Sequence, residues 1–143
     1  MARPAYVVAV EQCCPAPLAG EGVRMDHKSF DQPDESRRPD KTQVDVVQLG
    51  DVKAARMTMQ PGWRWSECIK PVVGTDSCQN RHVGVVVSGH MHVVQDDGTE
   101  SEAGPGDAYV ISPGHDAWVV GEDVFVGYEF ESQTAGIYAT PPS

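Results

Sequence analysis

The sequence has little basic charge and no long apolar run. Its 143 residues include 11 Lys and Arg against 21 Asp and Glu, a formal net charge of −10 at pH 7. The acidity serves solubility, and it repels phosphate backbones and anionic lipid headgroups, so we expect neither nucleic acid nor a membrane as a partner. No stretch approaches the roughly 20 apolar residues that span a bilayer. The first residues make a poor secretory signal, which favours a cytoplasmic location.

Helical periodicity of useful length is also lacking, and helices do not alternate with strands, which excludes Rossmann and TIM-barrel folds. Hydrophobic residues still make up 40% of the chain, enough for one domain with an ordinary core. Of the four cysteines, Cys13 and Cys14 receive no function. Cys68 and Cys78 could pair across a turn, but a reducing compartment favours free thiols or metal ligands.

The chain divides into two parts of different composition. Residues 21–41 are dense in Asp, Glu, Arg, Lys and Pro, with Phe30 as their one aromatic residue. Such a segment buries too little apolar surface to offset the entropy lost on ordering. We therefore predict a flexible N-terminal arm over residues 1–43, of which 1–24 could be an extension. One β-barrel domain follows over residues 44–143.

Short apolar or alternating runs follow from residue 44 onward, separated by Gly, Pro and Asp. About nine short strands with turn signals between them favour an antiparallel sandwich or barrel. One predicted strand covers residues 63–73, where aromatic and β-branched residues surround Pro71. The fold class is therefore predicted as all-β.

Two stretches resemble the two motifs of the cupins. Residues 104–118 (GPGDAYVISPGHDAW) are similar to the second motif, and residues 82–98 (HVGVVVSGHMHVVQDDG) resemble the hairpin of the first, with Gly89 at its turn. The resemblance covers residues 61–130. It implies a cupin-type double-stranded β-helix, a jelly-roll barrel built around one pocket. Cupins commonly pair through edge strands, so we expect a homodimer.

The turn residues of the second motif have a physical role in the fold. Gly106 and Gly114 can take positive φ angles at tight turns. Pro113 fixes the backbone before one of these turns. Asp107 can accept backbone N–H groups that the turn would leave unpaired. These residues support the architecture and say little about chemistry.

The resemblance also implies where a metal would bind. Cupins place two His residues around one intervening residue, a Glu three or four residues later, and a third His in the second motif. Here these positions fall on Asp76, Cys78, His82 and Ala117, with His115 two residues before the last. A carboxylate, a thiolate and two imidazoles suit zinc or iron better than magnesium or calcium. We therefore predict Asp76, Cys78, His82 and His115 as metal ligands.

Other roles for Cys78 and His82 stay open. A straight strand would separate Cys78 from His82 by about 13 Å, so the backbone must bend for them to share an ion. Without a metal, Cys78 is a small buried hydrophobic residue and His82 a hydrogen-bonded pocket residue. Nucleophilic catalysis by Cys78 with His82 would need a third, orienting group, and none is evident.

A ligand pocket is the second candidate site. On a strand, Trp63, Trp65 and Glu67 would share one face, and two aromatic rings beside a carboxylate suit a planar or apolar ligand. The alternative is that the rings fill the barrel core. The predicted pocket consists of Trp63, Trp65, Glu67, Cys78, His82, His115 and Trp118.

His90 and His92 form a further pair, separated by one residue. Alternation predicts that Met91 and Val93 face inward, which leaves both imidazoles near solvent. A surface site with two ligands lacks the three or four that zinc normally requires.

These observations support two functions of different classes. The first is a binding module that holds a small molecule in the barrel pocket. The alternative is a metal-dependent enzyme, an isomerase, dioxygenase or lyase, that uses an atypical Asp/Cys/His site with zinc or iron as the cofactor. The sequence names no catalytic residue, because cupins host many chemistries on one scaffold.

Overall fold

The computed structural model describes residues 25–130, which form nine strands and two short helices. The strands are β1 (Glu35–Arg37), β2 (Thr42–Leu49), β3 (Val52–Met59), β4 (His82–Ser88), β5 (His90–Gln95), β6 (Glu100–Ala103), β7 (Ala108–Ile111), β8 (His115–Val120) and β9 (Phe125–Phe130), with α1 (Trp65–Cys68) and α2 (Lys70–Val73) between β3 and β4. The all-β prediction is confirmed. Each helix has four residues, so neither helix in residues 25–130 is a candidate membrane span.

Two antiparallel sheets build the domain. The larger has the order β1-β2-β3-β9-β4-β7, and the smaller has the order β6-β5-β8. Consecutive strands such as β4 and β5 lie in different sheets, so the chain passes repeatedly from one sheet to the other. The pairing of β4 with β9 shifts register between Val86 and Ser88, just before Gly89 turns the chain into the smaller sheet.

The core lies between the two sheets and follows the two-residue alternation of the strands. In β8, for example, His115, Ala117 and Val119 are buried, while Asp116 and Trp118 are half-buried. Burying this apolar surface is the main force that holds the sheets together. The buried residues of the core are Val44, Val46, Ala55, Met57, Met59, Trp63, Trp65, Cys68, Ile69, Cys78, Val86, Met91, Val93, Ala117, Val119 and Phe125.

The predicted turn chemistry of the second motif is confirmed. Gly106 and Gly114 have φ angles of 90° and 87°. The Asp107 carboxylate accepts the backbone N–H of Gly104 at 2.9 Å. Met91 and Val93 are buried and His90 is exposed, as the alternation of β5 predicts.

The predicted strand over residues 63–73 is wrong, because this segment forms α1 and α2. Trp65, Cys68 and Ile69 are buried at the i, i+3, i+4 spacing of a helix face. The Asp116 carboxylate accepts the Ser66 backbone N–H at 3.1 Å and so satisfies a donor in the first turn. The aromatic composition favoured a strand, but this contact between residues 50 positions apart favours a helix.

The larger sheet begins inside the segment that was predicted to be an arm. β1 pairs with β2, and β2 itself starts at Thr42. Polar contacts compensate for the missing apolar burial: Arg56 donates to the buried Asp45 carboxylate at 3.1 Å and to the Phe30 carbonyl at 3.0 Å. Composition could not reveal these partners. The predicted extension over residues 1–24 lies outside the described residues.

Candidate metal centre

Three elements bring Cys78, His82 and His115 together. Cys78 lies between α2 and β4 and forms an isolated β-bridge with His115, whose carbonyl accepts the Cys78 N–H at 2.7 Å. His82 begins β4, and the residues between Cys78 and His82 are not in a strand. The backbone therefore bends between Cys78 and His82, as it must if these two residues are to share an ion.

The three side chains form a compact buried cluster. Their ligand atoms, one thiol sulfur and two imidazole nitrogens, all lie within 4.8 Å of one another. The Cys78 Sγ is 3.6 Å from the His82 Nε2. The rings of His82 and His115 meet edge to face, with centroids 5.2 Å apart. No other group of three such residues is found within residues 25–130.

A carboxylate and a phenol hold the His82 ring through its Nδ1 atom. The His82 Nδ1 lies 3.1 Å from each Glu129 carboxylate oxygen. The Tyr109 hydroxyl donates to the Glu129 Oε1 at 3.0 Å. Glu129 is 4% exposed, so its charge is compensated by these partners rather than by water. This arrangement fixes Nδ1–H of His82 toward Glu129 and directs Nε2 toward Cys78.

His115 is oriented in the same way by the backbone. Its Nδ1 lies 2.8 Å from the Ser112 carbonyl, which can only accept, so Nδ1 carries the hydrogen. The Nε2 lone pair is then available to the thiol or to an ion. Both imidazoles thus follow the pattern of metal-binding histidines, whose second nitrogen donates to a carboxylate or a carbonyl.

The electrostatics of the cluster favour a thiolate beside an imidazolium. Burial opposes ionisation of Cys78, but the neighbouring His115, a hydrogen bond from His82 and the charge of His82 lower its pKa to about 6. Burial also opposes the charged form of His82, yet hydrogen bonds with Cys78 and Glu129 and the Glu129 charge raise its pKa to about 10. Burial and the neighbouring Glu129 carboxylate raise the pKa of Tyr109, so its hydroxyl stays a donor.

A small cavity adjoins the cluster on the inside of the barrel. Its volume is about 40 Å³, room for roughly three water molecules. Apolar side chains make up most of its wall, and its polar residues are Cys78, Asn80, His82, Tyr109 and Glu129. Trp63 and Trp65, predicted as pocket residues, also line it.

Three predicted site residues lie elsewhere. Asp76 is in an exposed loop and contacts Lys70 instead, with 3.9 Å between the Lys70 Nζ and the carboxylate. Glu67 is exposed, because α1 turns it away from Trp65 where a strand would have placed both on one face. Trp118 faces outward in β8 and stacks on His92 with ring centroids 4.6 Å apart.

Glu129 and Tyr109 were missed as site residues. The alternation of β9 contains a signal for the first, because Phe125, Gly127 and Glu129 share the buried face. A carboxylate on the inward face of an apolar strand needs a buried partner. Cys68 and Cys78 are both buried free thiols, and Cys13 and Cys14 lie outside the described residues.

Comparison with solved structures identifies the fold. A protein of unknown function from Rhizobium leguminosarum is 19% identical, covers 76% of this chain and 97% of its own, and has a TM-score of 0.55. The polyketide cyclase RemF from Streptomyces resistomycificus is 18% identical, with coverages of 74% and 78% and a TM-score of 0.53. A protein with a double-stranded β-helix domain from Klebsiella pneumoniae is 17% identical, with coverages of 75% and 84% and a TM-score of 0.50.

These likenesses confirm the cupin-type double-stranded β-helix. At identities below 20% they establish the fold and leave the chemistry to be argued from the site. No protein-family model matches the chain, and no curated protein matches it.

Proposed function

We propose that this protein binds a divalent metal ion, zinc in the first place, through Cys78, His82 and His115, and uses it on a small molecule in the adjoining cavity. The observation that carries the proposal is the convergence of one thiol and two imidazoles within 4.8 Å. Three protein ligands beside a cavity are the arrangement of catalytic zinc sites, which keep one position open.

The donor set and its spacing fit zinc. Zinc–sulfur and zinc–nitrogen bonds of about 2.3 Å and about 2.0–2.1 Å at a tetrahedral angle separate the two ligand atoms by roughly 3.5 Å. The Cys78 Sγ and the His82 Nε2 are 3.6 Å apart. A thiolate among the ligands favours zinc over magnesium or calcium. When bound, such an ion would polarise an oxygen atom of the ligand as a Lewis acid.

The remaining residues of the site hold the ligands in place. Glu129 keeps the His82 Nδ1 protonated and its ring fixed, and the Tyr109 hydroxyl keeps Glu129 in position. The Ser112 carbonyl does the same for His115. The apolar cavity wall keeps bulk water from the cluster, which strengthens each electrostatic interaction inside it.

Metal content after chelation and reloading tests the proposal. The protein is stripped with a chelator, incubated with zinc, passed over a desalting column and analysed by plasma mass spectrometry. We expect about one zinc ion per chain. Less than a tenth of an equivalent in protein that is still folded by circular dichroism would contradict the proposal.

A cysteine nucleophile is the second candidate function, because the structure supplies the orienting group that the sequence did not reveal. Cys78, His82 and Glu129 form a thiol–imidazole–carboxylate series, the arrangement that activates catalytic thiols. Rapid alkylation of Cys78 by iodoacetamide, in protein that takes up no zinc, would favour this function over the first. The convergence of His115 on the same sulfur has no role in such a series, which is why we place the metal first.

Changing Glu129 to Gln should weaken zinc binding about 10–100-fold, the effect of losing an outer partner of a metal-bound histidine. The amide keeps the shape of the carboxylate but loses the charge that makes His82 a stronger ligand. Competition with a chromophoric chelator measures the affinity. Glu102→Gln is the control, because Glu102 is a half-exposed partner of His92 outside the cavity. Equal affinities in the two variants would exclude a supporting role for Glu129.

A further inference from the structure

A cleft lies between β6 and β7, the end strands of the two sheets. Within residues 25–130, each of these strands is paired on one side only. The cleft has a volume of about 470 Å³, within the range of roughly 300–1,000 Å³ that small-molecule sites occupy. The cavity beside the metal centre is far smaller, at about 40 Å³. We propose that the cleft is a second binding site and that it takes a small amphipathic amine, a molecule with an apolar body and one ammonium group.

Backbone hydrogen bonds fix the walls of the cleft. β6 pairs with β5, and β7 pairs with β4. Residues 104–107 join β6 to β7, and this turn is held against β4. The Gly106 N–H donates to the Val86 carbonyl, and the Val86 N–H donates to the Asp107 carbonyl, each at 2.9 Å. The cleft is therefore preorganised, and binding does not have to order its walls.

The inner side of the cleft offers an apolar surface. Strand alternation directs Val93 of β5, Ala103 of β6 and Ile111 of β7 toward the interior, and all three line the cleft. The aromatic ring of Tyr109 lines it as well. Removing an apolar ligand body from water onto this surface favours binding. Tyr109 and Ile111 also line the cavity of the metal centre, so a molecule in the cleft lies beside that centre.

The charged residues around the cleft are all acidic. Glu100, Glu102 and Asp107 line it, and among the described residues no Lys, Arg or His does. The side chains of Glu100 and Glu102 are 58% and 48% exposed, and their carboxylates also contact the His92 ring, at 3.1 Å and 3.7 Å. These two residues therefore form a solvated rim. Such a rim attracts a cation and repels a carboxylate or a phosphate.

The unpaired sides of β6 and β7 add acceptors for the ammonium group. An edge strand presents a row of backbone N–H and C=O groups that no neighbouring strand uses. An ammonium group has three donors and no acceptor, so backbone carbonyls suit it. An alcohol could also donate to these carbonyls, but only a cation gains from the acidic rim in addition. The charge of the rim and the apolar inner surface together define the ligand as an amphipathic amine.

Nuclear magnetic resonance titration of the intact protein tests the inference with benzylamine, benzyl alcohol and benzoate. The three probes share one aromatic ring and differ in charge. We expect benzylamine to shift the amide signals of residues 100–103 and 108–111 in a saturable way. It should bind about twofold to fivefold more tightly than benzyl alcohol, the effect of an exposed ion pair, and more tightly still than benzoate. Unshifted signals, or benzoate binding as tightly as benzylamine, would overturn the inference.

Two variants locate the site. Ser101 lies opposite Val93 and lines the cleft, so Ser101→Phe should fill the cleft and abolish the saturable shifts. Val87→Phe is the control, because Val87 is 55% exposed in β4 and does not line the cleft. It should bind benzylamine as the wild-type protein does. Equal binding by the two variants would place the amine outside the cleft.

A charge variant keeps the test decisive even if Ser101→Phe does not fold. Glu100→Gln combined with Glu102→Gln should weaken benzylamine binding about twofold to fivefold and leave benzyl alcohol binding unchanged. Equal losses for both probes would contradict a role for the acidic rim. The titrations are run on zinc-free and on zinc-loaded protein, with the same order of probes expected in both. A failure of the metal proposal is therefore recognised separately from a failure of this one.

Discussion

Replacing Cys78 with Ala is expected to weaken zinc binding by at least about 100-fold. Loss of an outer partner of a metal ligand alone weakens binding about 10–100-fold, and this change removes a ligand itself. The thiolate is also the strongest zinc donor of the three, and its pKa of about 6 makes it available near neutral pH. Isothermal titration of chelator-stripped protein with zinc measures the loss.

Cys68→Ala is the matched control for this experiment. Cys68 is as buried as Cys78, each being 4% exposed. It lies in α1 and is not part of the cluster. Both variants remove one buried thiol, so both should lose a similar amount of stability, and only the Cys78 variant should lose zinc. Equal zinc affinities in the two variants would show that Cys78 is not a ligand.

Gly89→Ala should be among the most destabilising single changes in the domain, at about 2–6 kcal/mol. Gly89 has a φ angle of 70°, in the left-handed region that strains other residues. A Cβ atom there would also lie 2.7 Å from the Phe125 Cα and from the Val124 carbonyl oxygen. Both obstacles are backbone atoms at the start of β9, which pairs with β4, so neither can move without disturbing the register. Overpacking of this kind adds about 1–3 kcal/mol to the backbone strain.

A control at Gly98 separates backbone strain from steric overpacking. Gly98 has a φ angle of 87°, but a Cβ atom at this position meets nothing within 4 Å. Gly98→Ala should therefore carry only the conformational cost of about 1–2 kcal/mol. Urea denaturation gives both free energies of unfolding. If the two variants were equally stable, the close approach of Gly89 to β9 would be disproved.

The sequence predicts the architecture well because strand alternation and turn residues are local signals. The burial of Met91 and Val93 and the positive φ angles of Gly106 and Gly114 follow from the composition of short segments. The strand predicted over residues 63–73 is wrong for the opposite reason. Its first turn is satisfied by Asp116, a contact between residues 50 positions apart that no local pattern contains.

The candidate site also depends partly on local signals and partly on long-range contacts. The resemblance to the cupin motifs implies Cys78 and His82 as ligands, and both lie in the buried cluster with His115. It also implies Asp76, but the loop that leads to β4 leaves Asp76 exposed. Glu129 comes from the last described strand, 47 residues after His82. Its pairing depends on the order of strands in the larger sheet, which the sequence does not state.

X-ray absorption spectroscopy of the zinc-loaded protein tests the central claim most directly, because it counts the ligand atoms around the ion. We predict one sulfur at about 2.3 Å and two imidazole nitrogens at about 2.0–2.1 Å, with a further light atom completing the shell. The sulfur should disappear in Cys78→Ala and persist in Cys68→Ala. A zinc shell of nitrogen and oxygen atoms alone in the wild-type protein would contradict the assignment of Cys78, His82 and His115 as the metal centre.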